Sequence, residues 1–100
     1  MEDKTLGVFV PSAEEKKITF KDYISRIYAI LVTYEATKRI NKEYVNLLCF
    51  EMQSYGHLTS DDELAVVTGK LITLTADGVD HAYVRKIVLD TTNYLTRVSK

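Results

Sequence analysis

The chain has 100 residues, of which 46% are hydrophobic and 27% are charged, and its formal net charge is −1. This length and composition predict one globular domain with one core and exclude a disordered chain. The near-neutral charge argues against a dedicated DNA-binding domain, because neutralising phosphates requires surplus cations. No apolar run is long enough for a membrane span. No signal peptide is evident and Cys49 is the single cysteine, so we expect a cytoplasmic protein.

The first 18 residues show no helical periodicity. They contain the apolar stretch Leu6–Pro11 and the charged run Glu14–Lys17. We expect residues 1–18 to form an extended N-terminal arm and residues 19–100 to form the helical domain. An exposed Val-Phe-Val around Phe9 would be an apolar edge prone to association with other chains. The arm is therefore expected to pack on its own domain or on a neighbouring copy.

Apolar residues at spacings of three and four predict the first two helices. The first is expected to begin near Thr19, where Asp22 completes an approximate capping box, and to end around Lys38–Arg39. Its apolar face comprises Phe20, Ile24, Ile27, Leu31 and Tyr34. The second is expected to begin after the N-cap Asn41 and to stop at Gly56. Its apolar face comprises Tyr44, Val45, Leu48, Met52 and Tyr55.

The third element has two interpretations. Ser60 and Glu63 form a capping box, and apolar residues keep helical spacing as far as Asp77-Gly78, which predicts a third helix. Several β-branched residues and the central Gly69 instead allow a β-hairpin over about residues 65–76, which would make the fold α+β. We favour the helix, because the cap and the apolar spacing agree.

The fourth helix has the most regular pattern. Asp80 is its expected N-cap, and its apolar face comprises Val84, Ile87, Val88, Thr91, Leu95 and Val98. Four amphipathic helices joined by short loops predict an all-α fold, an antiparallel bundle of four helices with the N-terminal arm added.

The side chains that could carry chemistry lie in unfavourable contexts. Cys49 lies in the middle of a helix, far from a helix N-terminus that would lower its pKa, so we interpret it as a core residue. Asp77, Asp80 and His81 could approach a cation, but their spacing matches no calcium or zinc motif and suits helix capping better. His57 has no neighbour in sequence for proton transfer. We therefore predict no metal, no cofactor and no enzymatic activity.

One segment resembles the first half of a helix-turn-helix motif. In Leu58–Lys70, Ala65 occupies the place of the motif's packing alanine and Gly69 the place of its turn glycine. Leu71–Thr75 departs from the motif, because it is apolar and β-branched where the recognition helix should begin. The resemblance implies an alternative function as a DNA-binding regulator. Its nucleic-acid face would lie on the fourth helix and comprise Arg85, Lys86, Asn93 and Arg97.

Several large apolar residues fall outside the helical stripes that form the core. They are Phe9, Leu47, Phe50, Val66, Ile72 and Leu89. Because a bundle of this size has a limited interior, we expect some of them to face solvent and to form an interface. The prediction is a non-enzymatic protein–protein interaction module, such as a small adaptor, inhibitor or assembly factor, which self-associates as a homodimer. The alternative is a monomer whose arm covers these residues.

Overall fold

The computed structural model describes residues 10–99, and these form helices joined by short loops. The α-helices are α1 (Ala13–Thr37), α2 (Lys42–Thr59), α3 (Asp62–Leu71) and α4 (His81–Val98). A single 3-10 turn, Ile72–Thr75, continues α3. No strand forms within residues 10–99, so the all-α prediction is confirmed and the hairpin alternative at 65–76 is wrong.

Helix α1 begins at Ala13, so the start expected near Thr19 is wrong. Ser12 Oγ accepts a hydrogen bond from the Glu15 backbone N–H at 3.1 Å, and Glu15 Oε1 accepts one from the Ser12 N–H at 2.9 Å. This capping box starts the helix inside the segment expected to be extended. Residues 13–18 are mostly exposed, and a helix end in solvent needs no apolar stripe. Phe9 and the rest of residues 1–9 lie outside the described residues.

A close approach between α2 and α3 explains why Gly56 does not end α2. A Cβ at Gly56 would lie 3.3 Å from the Asp61 carbonyl oxygen and 3.5 Å from Leu64 Cβ. The glycine therefore serves packing inside the helix, and α2 ends instead at Ser60, whose φ of 57° is left-handed. The N-cap of α3 is Asp61, whose carboxylate accepts the Leu64 N–H at 3.0 Å, so the cap predicted at Ser60 is wrong by one residue.

The other helix ends follow local hydrogen bonding. The predicted caps Asn41 and Asp80 are confirmed, since their side chains accept backbone N–H groups at 3.1 and 2.8 Å. The end of α1 is confirmed at Lys38, which is left-handed with φ of 61°. Helix α3 does not extend to Asp77-Gly78, because it tightens into the 3-10 turn. There the Thr73 hydroxyl donates to the Lys70 carbonyl at 2.6 Å, one of the carbonyls a continuing helix would use.

Successive helices run antiparallel around one core. The start of α4 meets the end of α1, where His81 Nε2 lies 3.3 Å from Glu35 Oε2. At the same end of the bundle Lys42 Nζ lies 2.6 Å from Asp77 Oδ1. Helix α1 packs mainly on α4 and α2 mainly on α3, with smaller contacts between α1 and α2 and between α3 and α4. The fully buried side chains include Phe20, Ile27, Leu48, Met52, Leu64, Leu71, Leu74, Val84, Val88 and Leu95.

Bilayer crossing demands a long and continuously apolar helix, and none of the helices within residues 10–99 has that character.

Candidate interaction surface

The apolar residues expected at an interface differ in exposure. Leu47, Phe50 and Val66 are 64%, 69% and 62% exposed, which is unusual for large apolar side chains. Ile72 and Leu89 are only half-buried, and Ile72 packs against the core. Three of these side chains therefore lie open to solvent in the part of the chain that the structure describes.

The exposed apolar residues of α2 share one face of that helix. Leu47, Phe50, Ser54 and Leu58 follow one another at spacings of three, four and four, so they form one stripe, here named the α2 outer stripe. The opposite face carries the buried core residues Val45, Leu48 and Met52. The stripe rises about 16 Å along the helix from Leu47 to Leu58. The stripe carries three exposed large apolar side chains, Leu47, Phe50 and Leu58.

Sequence reasoning missed Leu58, which is 47% exposed. The signal was its spacing, four residues after Ser54. It was not used because Gly56 was interpreted as the end of the helix. Since α2 continues past Gly56, Leu58 extends the α2 outer stripe by one turn.

A groove beside the stripe lies on the surface between α2 and α3. Its volume is ≈ 330 Å³, and its lining includes Phe50, Cys49, Gly69 and Ile72. Gly69 leaves the groove open, because nothing lies within 4 Å of the position that a Cβ would occupy. Phe50 therefore stands at the edge of a concave surface, next to open space.

Polar side chains lie at both ends of the stripe. Glu43 precedes Leu47 by one turn and His57 lies beside Leu58, and both are exposed. Neither forms an ion pair with any residue of the described range. By contrast, Glu51, on the flank of the stripe, is held by Arg26, and the Arg26 side chain lowers the pKa of this carboxyl. The stripe thus has an apolar centre, an acidic group near its start and an imidazole near its end.

The predicted nucleic-acid face on α4 contains carboxylates as well as cations. Lys86 Nζ lies 2.7 Å from Asp90 Oδ2, and the Arg97 guanidinium lies 5.6 Å from the centre of the Tyr94 ring. Lys86, Asn93 and Arg97 share one side of α4. Arg85 lies about 100° away around the helix axis.

The groove between α3 and α4 is lined by residues from both the predicted protein interface and the predicted nucleic-acid face. It has a volume of ≈ 500 Å³ and is lined by Val66, Asn93 and Arg97, together with Glu63 and Asp90. Val66 therefore lies apart from the α2 outer stripe, in a groove whose lining contains both acidic and basic side chains.

The turn that a helix-turn-helix requires is absent at Gly69, so that part of the resemblance is wrong. Ala65 and Gly69 both lie inside α3, and Gly69 has no left-handed backbone. The described chain turns between α2 and α3 four residues before Ala65, at Asp61.

The candidate chemical groups take part in packing and capping. Cys49 is 4% exposed, as expected of a core residue, and burial raises the pKa of its thiol to about 11. Asp77 pairs with Lys42, Asp80 caps α4, and the His81 ring stacks on Tyr34 with centroids 5.9 Å apart. No cluster of three or more potential metal-binding side chains occurs over residues 10–99.

The α2 outer stripe is the feature for which packing within the described chain gives no explanation. Its three large apolar side chains face away from the core, while its flanking groove and polar ends surround them. Comparison of this chain with protein-family models, with curated protein sequences and with solved structures finds no match.

Proposed function

We propose that this protein is a non-enzymatic protein–protein interaction module that binds through the α2 outer stripe, with a second copy of itself as the first candidate partner. The observation that carries the proposal is the exposure of Leu47, Phe50 and Leu58, which are 64%, 69% and 47% exposed on the face of α2 opposite the core. Its single cysteine, Cys49, is free, which favours a cytoplasmic setting.

Hydrophobic burial supplies the driving force for binding at this surface. Removing apolar surface from water contributes about 25 cal/mol per Å². Single exposed apolar residues are common, but several on one face mark an interaction site. Phe50 lies in the middle of the stripe, and aromatic residues are enriched in interface centres. The polar side chains around it resemble an interface rim.

The state of the titratable groups supports a binding role over catalysis. The Cys49 thiol has a pKa of about 11, so its nucleophilic thiolate is scarce near neutral pH. Glu51 and Arg26 bind each other across α1 and α2. His81 lies against Glu35 and Tyr34 at the end of the bundle, where it ties α4 to α1.

Photo-crosslinking tests the proposal directly. Benzoylphenylalanine in place of Phe50 keeps an aromatic ring at the centre of the stripe. In cells that make the protein, irradiation is expected to give a discrete covalent adduct. The mass of that adduct identifies a second copy or another protein.

The matched control places the same probe at Val32 on α1, which is 64% exposed. An adduct from position 50 that exceeds the one from Val32, and that weakens on Leu58→Ser, supports the α2 outer stripe. Equal labelling at both positions, or none at position 50, rules out binding at this surface.

A further inference from the structure

We infer that the occupant of the α2 outer stripe is a second copy of this chain, whose own α2 crosses the first antiparallel, with Phe50 against Phe50 of the second copy on a two-fold axis. This inference rests on the proposed function and specifies its partner and its geometry.

The spacing of residues along the exposed face of α2 is that of a helix-pairing seam. Glu43, Leu47, Phe50, Ser54 and His57 follow one another at steps of four, three, four and three. This alternation is the repeat by which two helices keep one face towards each other. All five residues are exposed or half-buried, so the seam is unoccupied by the bundle's own helices.

The polarity of the pairing follows from what each residue would face. With Phe50 on the two-fold axis, an antiparallel partner places Glu43 opposite His57, because each lies seven residues from Phe50. It also brings Leu47, three residues before Phe50, next to Ser54 of the second copy, four residues after Phe50, so a large side chain lies beside a small one. Both pairs occur twice in a symmetric dimer, since each copy contributes both members.

A parallel pairing is disfavoured by the same residues. It would place Glu43 beside Glu43 of the second copy, and like charges at facing positions repel. It would also set Ser54 against Ser54 of the second copy and leave a gap next to Phe50, which lowers packing density. Antiparallel helices additionally bring the negative C-terminal end of one α2 near the positive N-terminal end of the other.

The surroundings of Phe50 leave room for the second copy. Gly69 and the groove of ≈ 330 Å³ lie on one side of Phe50. On the other side, Arg26 pairs with Glu51, with Nη2–Oε2 at 2.9 Å. The carboxylate on the flank of the seam is therefore already paired within its own chain.

Other surfaces fit a second copy less well. On α1, Tyr28 and Val32 are 41% and 64% exposed, one turn apart, on a face with the same residue spacing as the α2 seam. Glu35 at the end of that face already lies 3.3 Å from His81 Nε2, and Lys21 and Ser25 separate Tyr28 from Ile18. The groove between α3 and α4 has carboxylates and cations along its lining. The α2 face has three exposed large apolar side chains, and its end groups Glu43 and His57 form no ion pair within the described residues.

Disulfide trapping of the purified full chain tests the polarity. Leu47→Cys and Ser54→Cys are made as separate variants, one of them carrying an affinity tag. Mixing the two and oxidising them is expected to give mainly the mixed disulfide dimer, because the antiparallel pairing brings Leu47 of one copy next to Ser54 of the other, whereas it keeps two Leu47 side chains, or two Ser54 side chains, apart. The wild type is the control, since its Cys49 is only 4% exposed and is expected to form no disulfide.

The result that overturns the inference is equally specific. Strong disulfide formation by each variant alone, without preference for the mixture, indicates a parallel pairing. A wild-type chain that sediments as a monomer at all concentrations also overturns it. If that monomer still gives an adduct with a different protein at position 50, the proposed function stands and only the inference falls.

A charge exchange provides a second, independent measurement. Glu43→Lys and His57→Glu are each expected to raise the dimer dissociation constant roughly two- to ten-fold. His57→Glu sets two carboxylates against each other, and Glu43→Lys removes the carboxylate that would accept a hydrogen bond from His57. The double variant E43K/H57E restores an opposite-charge pair and is expected to recover the wild-type constant. A parallel dimer would show no recovery, since it places Lys beside Lys and Glu beside Glu.

Discussion

Arg26 of α1 binds Glu51 of α2 through two parallel hydrogen bonds, with Nη1–Oε1 at 3.0 Å and Nη2–Oε2 at 2.9 Å. The same guanidinium also reaches Asp22 Oδ2 at 3.2 Å. Beside this polar clamp, the rings of Phe20 and Tyr23 on α1 contact Tyr55 of α2, so polar and aromatic contacts together join the two helices. The clamp also holds Glu51 on the flank of the α2 outer stripe.

The clamp is expected to contribute measurably to stability. In a double-mutant cycle of Arg26→Met and Glu51→Gln, measured by denaturant unfolding, we expect a coupling free energy of about 0.5–1 kcal/mol, the upper range for a partly exposed pair with two-point geometry. The control is Lys86–Asp90, a more exposed pair within α4, for which a smaller coupling is expected. Equal couplings for the two pairs would contradict the role given to Arg26.

The pairing of Glu51 with Arg26 also makes the free energy of unfolding depend on pH. Hydrogen bonding to Arg26 lowers the pKa of Glu51 in the folded state. The stabilisation is therefore present above the unfolded-state pKa, about 4.3, and is lost as the pH falls through the lower folded-state value. Unfolding measured between pH 7 and pH 3 should show this loss in the wild type and a smaller one in Glu51→Gln.

Two glycines inside helices are expected to respond oppositely to alanine. At Gly69 a Cβ meets nothing within 4 Å, so Gly69→Ala should raise the free energy of unfolding by about 1 kcal/mol through helix propensity. At Gly56 the added Cβ would lie 3.3 Å from the Asp61 carbonyl oxygen, and pushing α3 away should lower the free energy of unfolding by about 1 kcal/mol. Thermal unfolding of both variants decides this, and stabilisation by Gly56→Ala would contradict the close approach of α2 and α3.

Burial of Cys49 gives a prediction at alkaline pH. Because burial raises the pKa of its thiol from 9.0 to about 11, the thiol form stabilises the fold below pH 9. That contribution, on the order of 2 kcal/mol, is lost as the pH rises from 9 to about 11. Cys49→Ala should remove this part of the loss of stability at alkaline pH. The part due to Tyr23, whose pKa burial raises to about 12, should remain.

Thiol labelling provides the direct check on Cys49. At pH 8 the native protein should react with a disulfide reagent far more slowly than the protein unfolded in denaturant, because the side chain is 4% exposed and protonated. Equal rates in the two states would show that the α2–α3 groove opens to Cys49 in solution.

The amino-acid sequence by itself determined the helices, because the signals for them are local. Apolar residues three and four apart placed the core faces of all four helices, and Asn41 and Asp80 cap α2 and α4 where expected. The missed start of α1 was also local, since the Ser12–Glu15 capping box is present in the sequence but precedes the apolar stripe. Leu47 and Phe50 could be identified as exposed because they lie opposite the core stripe of α2.

The tertiary structure alone decided where α2 ends and what its outer face contains. Local preference predicts that Gly56 ends the helix. In the structure Gly56 lies inside α2, where the absence of a side chain allows close contact with Asp61 and Leu64, and Leu58 therefore belongs to the stripe. Likewise, the packing of α3 between α2 and α4 separated Ile72 from Val66 into different grooves. Helix caps and backbone hydrogen bonds depend on residues within a few positions of one another. By contrast, a helix end that is set by packing, and the set of side chains that share a surface, depend on residues far apart in the chain.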